Sequence, residues 1–320
     1  MEEFEVVFSV SVVFVVLFLH QMDFRFQFHP HSNIELTMKH RFISIVMITL
    51  IIVLLSSCDE ISAPYKQTGG VVVVTGEQKV LIEDFTGFRC GNCPSAAQIA
   101  AELHKAYEGK VIVLGIHSGA TFASPRGKLY AEDFRTPVGE ELFTTFLGGT
   151  GGQPNGMVNR SGDGNKIVAP DGWAAQVAKE LEKTAKATID LKPTYDSVTK
   201  LLTVDVDVKW ISAGGPDDHL AIYLSEDSIV YAQKDYRRPS LGLSEDDSNF
   251  VHMHMLRGAI GEFGTWGEQV ASKAAGSSIT KRYTVSFAGK PWKPKHCSVI
   301  GILHNKQEGS IIQVNDQKIK

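Results

Sequence analysis

Two cysteines separated by two residues are the side chains in this sequence best suited to chemistry. Cys90 and Cys93 follow an apolar run that begins at Val80, and a helical pattern with apolar positions such as Ile99 starts behind them. Pro94 fits the first helical turn, where its missing N–H costs nothing. The pattern predicts a Cys-x-x-Cys pair between a strand and a helix, with Cys90 at the helix N-terminus. Thiolates are the nucleophiles of disulfide exchange, so this position indicates redox chemistry.

The surroundings of Cys90 favour its thiolate in two ways. The helix N-terminus carries a partial positive charge, and Arg89 adds a full one next door. Both lower the pKa of the Cys90 thiol below the reference value of about 8.5. Cys93, one turn further in, is expected to be shielded and to attack only a mixed disulfide on Cys90.

Two other interpretations of the cysteine pair compete with redox chemistry. A structural zinc site needs a second ligand pair, and beyond the N-terminal region the one close pair of histidines is His252 and His254. On a strand these two histidines would share a face and could bind a metal ion. A metal-dependent hydrolase is therefore a further interpretation, but the sequence offers no third metal ligand near them. A static disulfide has the same spacing as a redox-active one and stays open as an alternative. We predict no metal and no cofactor.

The composition is that of an ordinary globular protein. The 320 residues are 43% apolar and 21% charged, with a net charge of −4, and the length allows two domains. Since no basic run stands out, nucleic acid is not an expected partner.

The N-terminal region contains two apolar runs of different character. The run at 6–19 is short for a membrane span and follows acidic residues, unlike a signal peptide. Met38 opens a basic stretch that leads into a second apolar run at 42–55. We therefore expect 38–57 to be a signal peptide and 1–37 to be an upstream extension that is not native. A true first membrane segment is the alternative for 1–37.

The signal peptide ends in Leu55-Ser56-Ser57-Cys58. This stretch resembles the bacterial lipobox, in which the cysteine is lipidated and becomes the mature N-terminus. The resemblance implies that Cys58 is a membrane anchor and takes no part in a disulfide. Residues 58–77 then form a tether, rich in small residues, to the first domain.

The cysteine pair lies within a strand–helix–strand pattern completed by Val111–His117. A glycine-rich run at 148–152 leads to Pro154, and an amphipathic helix is predicted at 173–186. A phosphate-binding loop is the alternative for the glycines, but no Lys-Ser/Thr signature follows them. The order of these elements resembles thioredoxin-like proteins over residues 78–187.

The thioredoxin-like resemblance implies a role for each matching residue. Cys90 is then the attacking thiol, and Cys93 the resolving one. Asp84 is the buried carboxylate that accepts the proton of the resolving thiol. Pro154 is a cis-proline that faces the pair, and Gln153 offers backbone groups to an extended substrate strand.

Two residues depart from the thioredoxin-like pattern. Arg89 replaces the usual tryptophan before the pair, and Asn92 replaces the proline between the cysteines. Arg89 joins Gln153 as a residue expected to contact the substrate. Because of these two replacements, the family pattern does not predict the reduction potential of the cysteine pair.

From residue 188 to the end, apolar and polar residues alternate as in half-buried strands. Turn signals between them and the lack of helical periodicity predict an antiparallel β-sandwich. Cys297 begins one strand and is expected to be a small buried side chain. The predicted strands are at 189–191, 202–208, 220–224, 283–287, 299–303 and 311–314.

The order of lipobox, thioredoxin-like domain and C-terminal β domain resembles one group of proteins. It is similar to the outer-membrane lipoproteins named after a 28-kilodalton outer membrane protein. The run at 250–257, the stretch at 264–267 and the final hairpin carry that resemblance. It implies a lipid-anchored outer-membrane location, on the periplasmic or the surface face.

The expected function is thiol–disulfide exchange through the cysteine pair, with envelope protein thiols or disulfides as partners. The membrane is a second partner, through the N-terminal lipid anchor. The alternative is a surface binding or adhesion lipoprotein in which the cysteine pair is a static disulfide.

A first prediction concerns processing. Cleavage before Cys58 should leave a mature protein of residues 58–320 with acyl chains on its N-terminal cysteine, because the lipobox follows a basic and then apolar segment. Mass spectrometry of the protein from membranes measures this. An unmodified Cys58, or any peptide from residues 1–37, would contradict it.

Overall fold

The computed structural model describes residues 77–162, 164–271 and 273–320. The upstream extension, the signal peptide, Cys58 and nearly all of the tether therefore lie outside the described residues. None of the helices in the described ranges combines the length and apolarity that a membrane span requires.

The described chain folds into three α-helices and thirteen strands. The helices are α1 (Cys93–Ala106), α2 (Pro137–Leu147) and α3 (Trp173–Leu181). The strands are β1 (Val80–Thr86), β2 (Val111–His117), β3 (Asn155–Val158), β4 (Ala187–Asp196), β5 (Leu201–Trp210), β6 (Asp218–Glu226), β7 (Ile229–Lys234), β8 (Asp246–His252), β9 (Met255–Ala259), β10 (Glu268–Gln269), β11 (Ser278–Ser286), β12 (Cys297–Asn305) and β13 (Ile311–Lys318).

Most strands belong to one eight-stranded sheet in the order β13-β12-β6-β9-β2-β1-β3, with β10 paired to β6. β1 and β2 are parallel along their full length and are connected by α1, so the predicted strand–helix–strand unit is confirmed. Both strands are buried almost throughout. This explains their continuous apolar sequence, which is typical of parallel strands covered on both faces.

The eight-stranded sheet contains strands from both sides of the boundary expected between residues 187 and 188. β9 joins the two parts, because it runs antiparallel to β6 and parallel to β2. The backbone N–H of Gly115 on β2 donates to the carbonyl of His254 at 2.8 Å. The expected boundary therefore does not separate two sheets.

A second sheet, in the order β11-β5-β4, has three antiparallel strands. Its inward side chains form one core with side chains of the large sheet, as in two layers packed face to face. This packing agrees with a β-sandwich in the C-terminal half. Cys297 is a free, buried thiol in this core, as predicted. The core includes Ile189, Leu191, Val204, Val206, Ile222, Leu224, Val299 and Leu303.

The predicted helix at 173–186 ends earlier, at Leu181. The residues behind it must already lead into β4, which starts at Ala187, and Ala185 is buried beside that start. The helical periodicity therefore extends five residues beyond the helix itself.

A fully buried ion pair links β1 to the turn behind β3. The Arg160 guanidinium donates two hydrogen bonds to the Glu83 carboxylate, at 2.6 and 2.8 Å, and both side chains are at most 1% exposed. Burial alone would lower the pKa of Arg160, but Glu83 raises it above its ordinary value. The aromatic rings of Phe146 and Trp266 lie 5.6 and 5.8 Å from the guanidinium carbon.

Replacing the buried arginine tests how much this ion pair stabilises the fold. Arg160→Met should lower the free energy of unfolding by about 3 to 5 kcal/mol, because it leaves the Glu83 carboxylate buried without its cation. Urea denaturation measures the loss. Arg282→Met is the matched control, since Arg282 forms an exposed pair with Asp205. The control should leave the midpoint nearly unchanged, and equal losses in the two variants would contradict the prediction.

Candidate functional site

Cys90 and Cys93 form a disulfide with a Cα–Cα distance of 5.4 Å. Each cysteine is only 2% exposed. The pair is therefore present in its oxidised form and is covered by the rest of the protein, a burial that the sequence had not suggested for Cys90.

The prediction that Cys90 lies at the helix N-terminus is wrong by three residues. α1 begins at Cys93, and Asn92 precedes it as the N-cap. Cys90 lies in the turn before the helix, because its N–H donates to the carbonyl of Gly87 at 2.9 Å and its carbonyl accepts from the N–H of Cys93 at 3.3 Å. The positive end of the helix therefore adjoins Cys93 more closely than Cys90.

Close packing fixes the turn before the disulfide. A Cβ at Gly87 would lie 2.6 Å from the carbonyl of Phe122, so a residue with a side chain does not fit there. Phe88 is fully buried, stacked on Tyr130 at 5.4 Å between ring centroids, and it also contacts Phe134 and Tyr231. This aromatic cluster holds the turn in position from the side opposite the helix.

The guanidinium of Arg89 is engaged with a neighbouring loop. It donates to the carbonyls of Ala120 and Ser124 and to the hydroxyl of Ser124, at 2.9 to 3.1 Å. Burial and the nearby Arg126 lower the pKa of Arg89. The roles of Arg89 in activating Cys90 and in contacting the substrate stay predictions.

Asp84 occupies the position expected of a buried carboxylate near the pair. It is 3% exposed, and its Oδ1 has no hydrogen-bond partner within the described residues. Burial raises its pKa from 3.8 to about 7. Asp84 and Cys93 line the same cavity of about 270 Å³ between α1 and the sheet. Such a carboxyl can hold or release a proton near neutral pH beside the second cysteine.

Two buried histidines line the same cavity. The rings of His117 and His252 lie 5.4 Å apart, and both nitrogens of His117 lack hydrogen-bond partners among the described atoms. Burial, aided by His252 and Arg257, lowers the pKa of His117 well below its usual range. Burial lowers the pKa of His252 to about 4. Both rings are therefore neutral at physiological pH and can hydrogen-bond to water or to a ligand in the cavity.

The expectation that His252 and His254 share one face of a strand is wrong. β8 ends at His252, and His254 has a positive φ of 55°, which breaks the alternation before β9 begins. His252 packs on His117, whereas the ring of His254 lies 3.2 Å from a carboxylate oxygen of Asp227 and beside His104. No cluster of three or more potential metal ligands occurs in the described residues.

The predicted cis bond at Gln153-Pro154 is confirmed. β3 pairs antiparallel with β1, with Asn155 opposite Phe85, so Pro154 lies at the end of the sheet from which the cysteine turn emerges. The amide of Gln153 donates to the carbonyl of Ser118 at 2.9 Å, at the same end of β2. The sheet thus brings this proline and the disulfide to one end.

Residues 233–238, which begin with the last two residues of β7 and are called the strap below, cover the cysteine turn. The N–H of Lys234 donates to the carbonyl of Phe88 at 2.8 Å, and the N–H of Tyr236 donates to that of Gly91 at 2.9 Å. The amide of Gln233 donates to the carbonyl of Cys90 at 3.0 Å. The strap accounts for much of the burial of the disulfide.

Sequence reasoning missed three residues of this site. His117 could have been predicted, because it ends a predicted parallel strand and functional side chains gather at the carboxyl ends of such strands. Gln233 and Tyr236 had none, because Gln233 is 143 residues away from the cysteine whose carbonyl it binds. Only the tertiary fold brings the strap to the pair.

A family model described as outer membrane protein Omp28 matches residues 145–320, more than half of the chain. The chain belongs to the Omp28 family. The resemblance to the group named after a 28-kilodalton outer membrane protein is thus confirmed, and the family name agrees with an outer-membrane protein. The match begins behind the cysteine pair, so Asp84, Cys90 and Cys93 precede it and the strap lies within it.

Two solved structures are similar to this Omp28 family member. HBP35 of Porphyromonas gingivalis has a TM-score of 0.55 and 21% identity, over 77% of this chain and 76% of that one. A protein of Agrobacterium tumefaciens from a structural genomics consortium has a TM-score of 0.48 and 13% identity, over 77% and 97%. The similarity to HBP35, at 21% identity, shows a shared fold and does not extend to activity. No curated protein matches the chain significantly.

The raised pKa of Asp84 predicts a pH-dependent stability. Between about pH 4 and 7 the folded protein keeps a proton that the unfolded chain releases, so Asp84 makes the free energy of unfolding fall as pH rises. Asp84→Asn removes this slope. The variant should gain about 2 kcal/mol relative to the wild type between pH 5 and pH 7.5.

Urea denaturation of the two oxidised proteins at both pH values measures this gain. Subtracting the wild-type free energy of unfolding from that of the variant removes the contribution of His117 and His252, which both proteins share. Their lowered pKa values make the free energy of unfolding rise with pH below about pH 6.5, opposite to the effect of Asp84. A constant difference across the range would show that Asp84 titrates normally.

Proposed function

We propose that this protein carries out thiol–disulfide exchange on envelope proteins through Cys90 and Cys93. The observation that carries the proposal is the position of their disulfide, which lies at the start of α1 beside a cavity lined by Cys93 and the protonatable Asp84. An inert disulfide needs no carboxyl of neutral pKa behind it, whereas an exchanging pair needs a proton acceptor.

The proposed chemistry places Cys90 as the nucleophile. Its thiolate attacks one sulfur of a substrate disulfide, the substrate S–S bond breaks, and one substrate thiolate leaves. Asp84 accepts the proton of Cys93, whose thiolate then attacks the Cys90 sulfur of the mixed disulfide. The second substrate thiolate leaves, the Cys90–Cys93 bond re-forms, and two electrons have passed to the substrate. Oxidation of a substrate dithiol is the same sequence in reverse.

The proposal includes a thioredoxin-like architecture for residues 78–187, followed by a β-sandwich domain from residue 188. The parallel β1–α1–β2 unit, the antiparallel β3 and the cis bond before Pro154 support the first part. Pro154 and Gln153 would then lie on the substrate side, with Arg89 at its edge.

The proposal also includes anchoring of the mature protein to the outer membrane through lipid on Cys58. The lipobox-like sequence supports the anchor, and the Omp28 family match supports the membrane. Envelope protein thiols and disulfides would be the partners within reach of such an anchored protein.

A surface binding or adhesion lipoprotein with a static disulfide is the second candidate. The observation that favours it is the burial of both cysteines beneath the strap. The reduction potential distinguishes the two functions, because structural disulfides lie below about −300 mV and exchanging pairs lie above that value.

Two variants of the pair test the exchange directly. Cys93→Ser should trap substrates as mixed disulfides on Cys90, because no resolving thiol remains, and Cys90→Ser should trap none. Non-reducing electrophoresis of envelope extracts, with mass spectrometry of the shifted bands, detects the adducts. A potential below about −300 mV together with no adduct on Cys93→Ser would favour the static disulfide.

A further inference from the structure

The strap contacts the cysteine turn through main-chain hydrogen bonds, one from the last residue of β7 and one from the turn behind it. Lys234 and Tyr236 are two residues apart and donate their N–H groups to the carbonyls of Phe88 and Gly91. In an extended chain, N–H groups two residues apart point the same way. Any extended polypeptide can offer the same two donors, whatever its side chains.

Two further contacts hold the strap over the disulfide. The amide of Gln233 donates to the carbonyls of Cys90 at 3.0 Å and Gly87 at 3.4 Å. The ring of Tyr236 lies so close to Gly91 that a Cβ there would be 2.5 Å from its atoms. The strap therefore covers the main chain on both sides of Cys90.

Gln233 and Lys234 end β7 and pair with β8, and the other contacts that hold the strap are mostly polar. Asp235 binds the guanidinium of Arg237, which donates to Gln98 on α1 at 2.9 Å. Tyr236 is 56% exposed although its ring covers Gly91. A segment with few buried apolar contacts opens at a lower free energy than the core strands.

From these contacts we infer that the carbonyls of Phe88 and Gly91 form a binding surface for an extended polypeptide. In this structure the strap occupies that surface instead of the polypeptide. A substrate segment displaces the strap, takes over its two main-chain hydrogen bonds and so brings its own sulfur to Cys90. Main-chain pairing of this kind supplies affinity without a fixed sequence. This inference rests on the proposed exchange function and adds both the substrate class and the means of control.

The inference predicts that a weakened strap exposes the disulfide. Gln233→Ala and Tyr236→Ala should each be reduced about five- to tenfold faster than the wild type by dithiothreitol, since each loses about one contact that closes the strap. One dithiothreitol thiolate attacks a sulfur of the pair, its second thiolate closes the cyclic disulfide, and the protein gains two thiols. Alkylation of quenched samples, followed by mass spectrometry, measures the rate.

A short unstructured peptide with a single cysteine is the second reductant. Its thiolate attacks one sulfur of the pair and forms a mixed disulfide, while the Cys90–Cys93 bond breaks and the other cysteine leaves as a thiolate. The rate gain in both strap variants should be larger for the peptide than for dithiothreitol, because only the peptide uses the vacated carbonyls. Tyr236→Phe keeps the ring and should match the wild type. Val198→Ser, at an exposed apolar residue outside the strap, should match it too.

Unchanged rates in both strap variants would overturn the inference. A gain for dithiothreitol without a larger gain for the peptide would also overturn it, because a purely steric cover gives that result. If the variants fold poorly, hydrogen exchange of the unmodified protein decides. The amides of Lys234 and Tyr236 should exchange long before those of β1, and equally slow exchange would show that the strap does not open.

Failure of the proposed function is a separate result. A reduction potential in the range of structural disulfides would remove protein exchange, whereas the rates with dithiothreitol would still report whether the strap controls access to the pair.

Discussion

The buried ion pair between Glu83 and Arg160 is the constraint on which the rest of the structure depends. Glu83 lies on β1 in the middle of the fold, and an unpaired carboxylate there would be costly. Its partner Arg160 is flanked by Phe146 at the end of α2 and by Trp266, which lies more than a hundred residues further along the chain. The pair therefore requires these segments to assemble around β1, which leads directly into the cysteine turn.

The next residue along β1 has the opposite electrostatic environment. Glu83 and Asp84 are adjacent and both buried, but successive side chains of a strand point to opposite faces. On one face a cation neutralises Glu83. On the other, Asp84 meets a cavity with neutral histidines, so burial dominates and raises its pKa to about 7. One strand thus places an ion-paired carboxylate on one face and a titratable carboxyl beside the cavity on the other.

The sequence predicted the parts of the site that are local in the chain. The strand before the pair, the helix behind it, the buried Asp84 and the cis bond before Pro154 follow from patterns within a few residues or from a family resemblance. The strap and β9 did not, because their partners are more than a hundred residues away. His254 was misassigned for a related reason, since its positive φ has no signature in a histidine residue.

The strand order of the large sheet has a consequence for how the protein is made. The face of β2 that carries Ile112 and Leu114 packs on side chains of β12 and β13, which end the chain. During synthesis the cysteine-bearing half therefore emerges with an apolar face uncovered and its edge unpaired. Contacts of such sequence separation form slowly, and open edges invite aggregation.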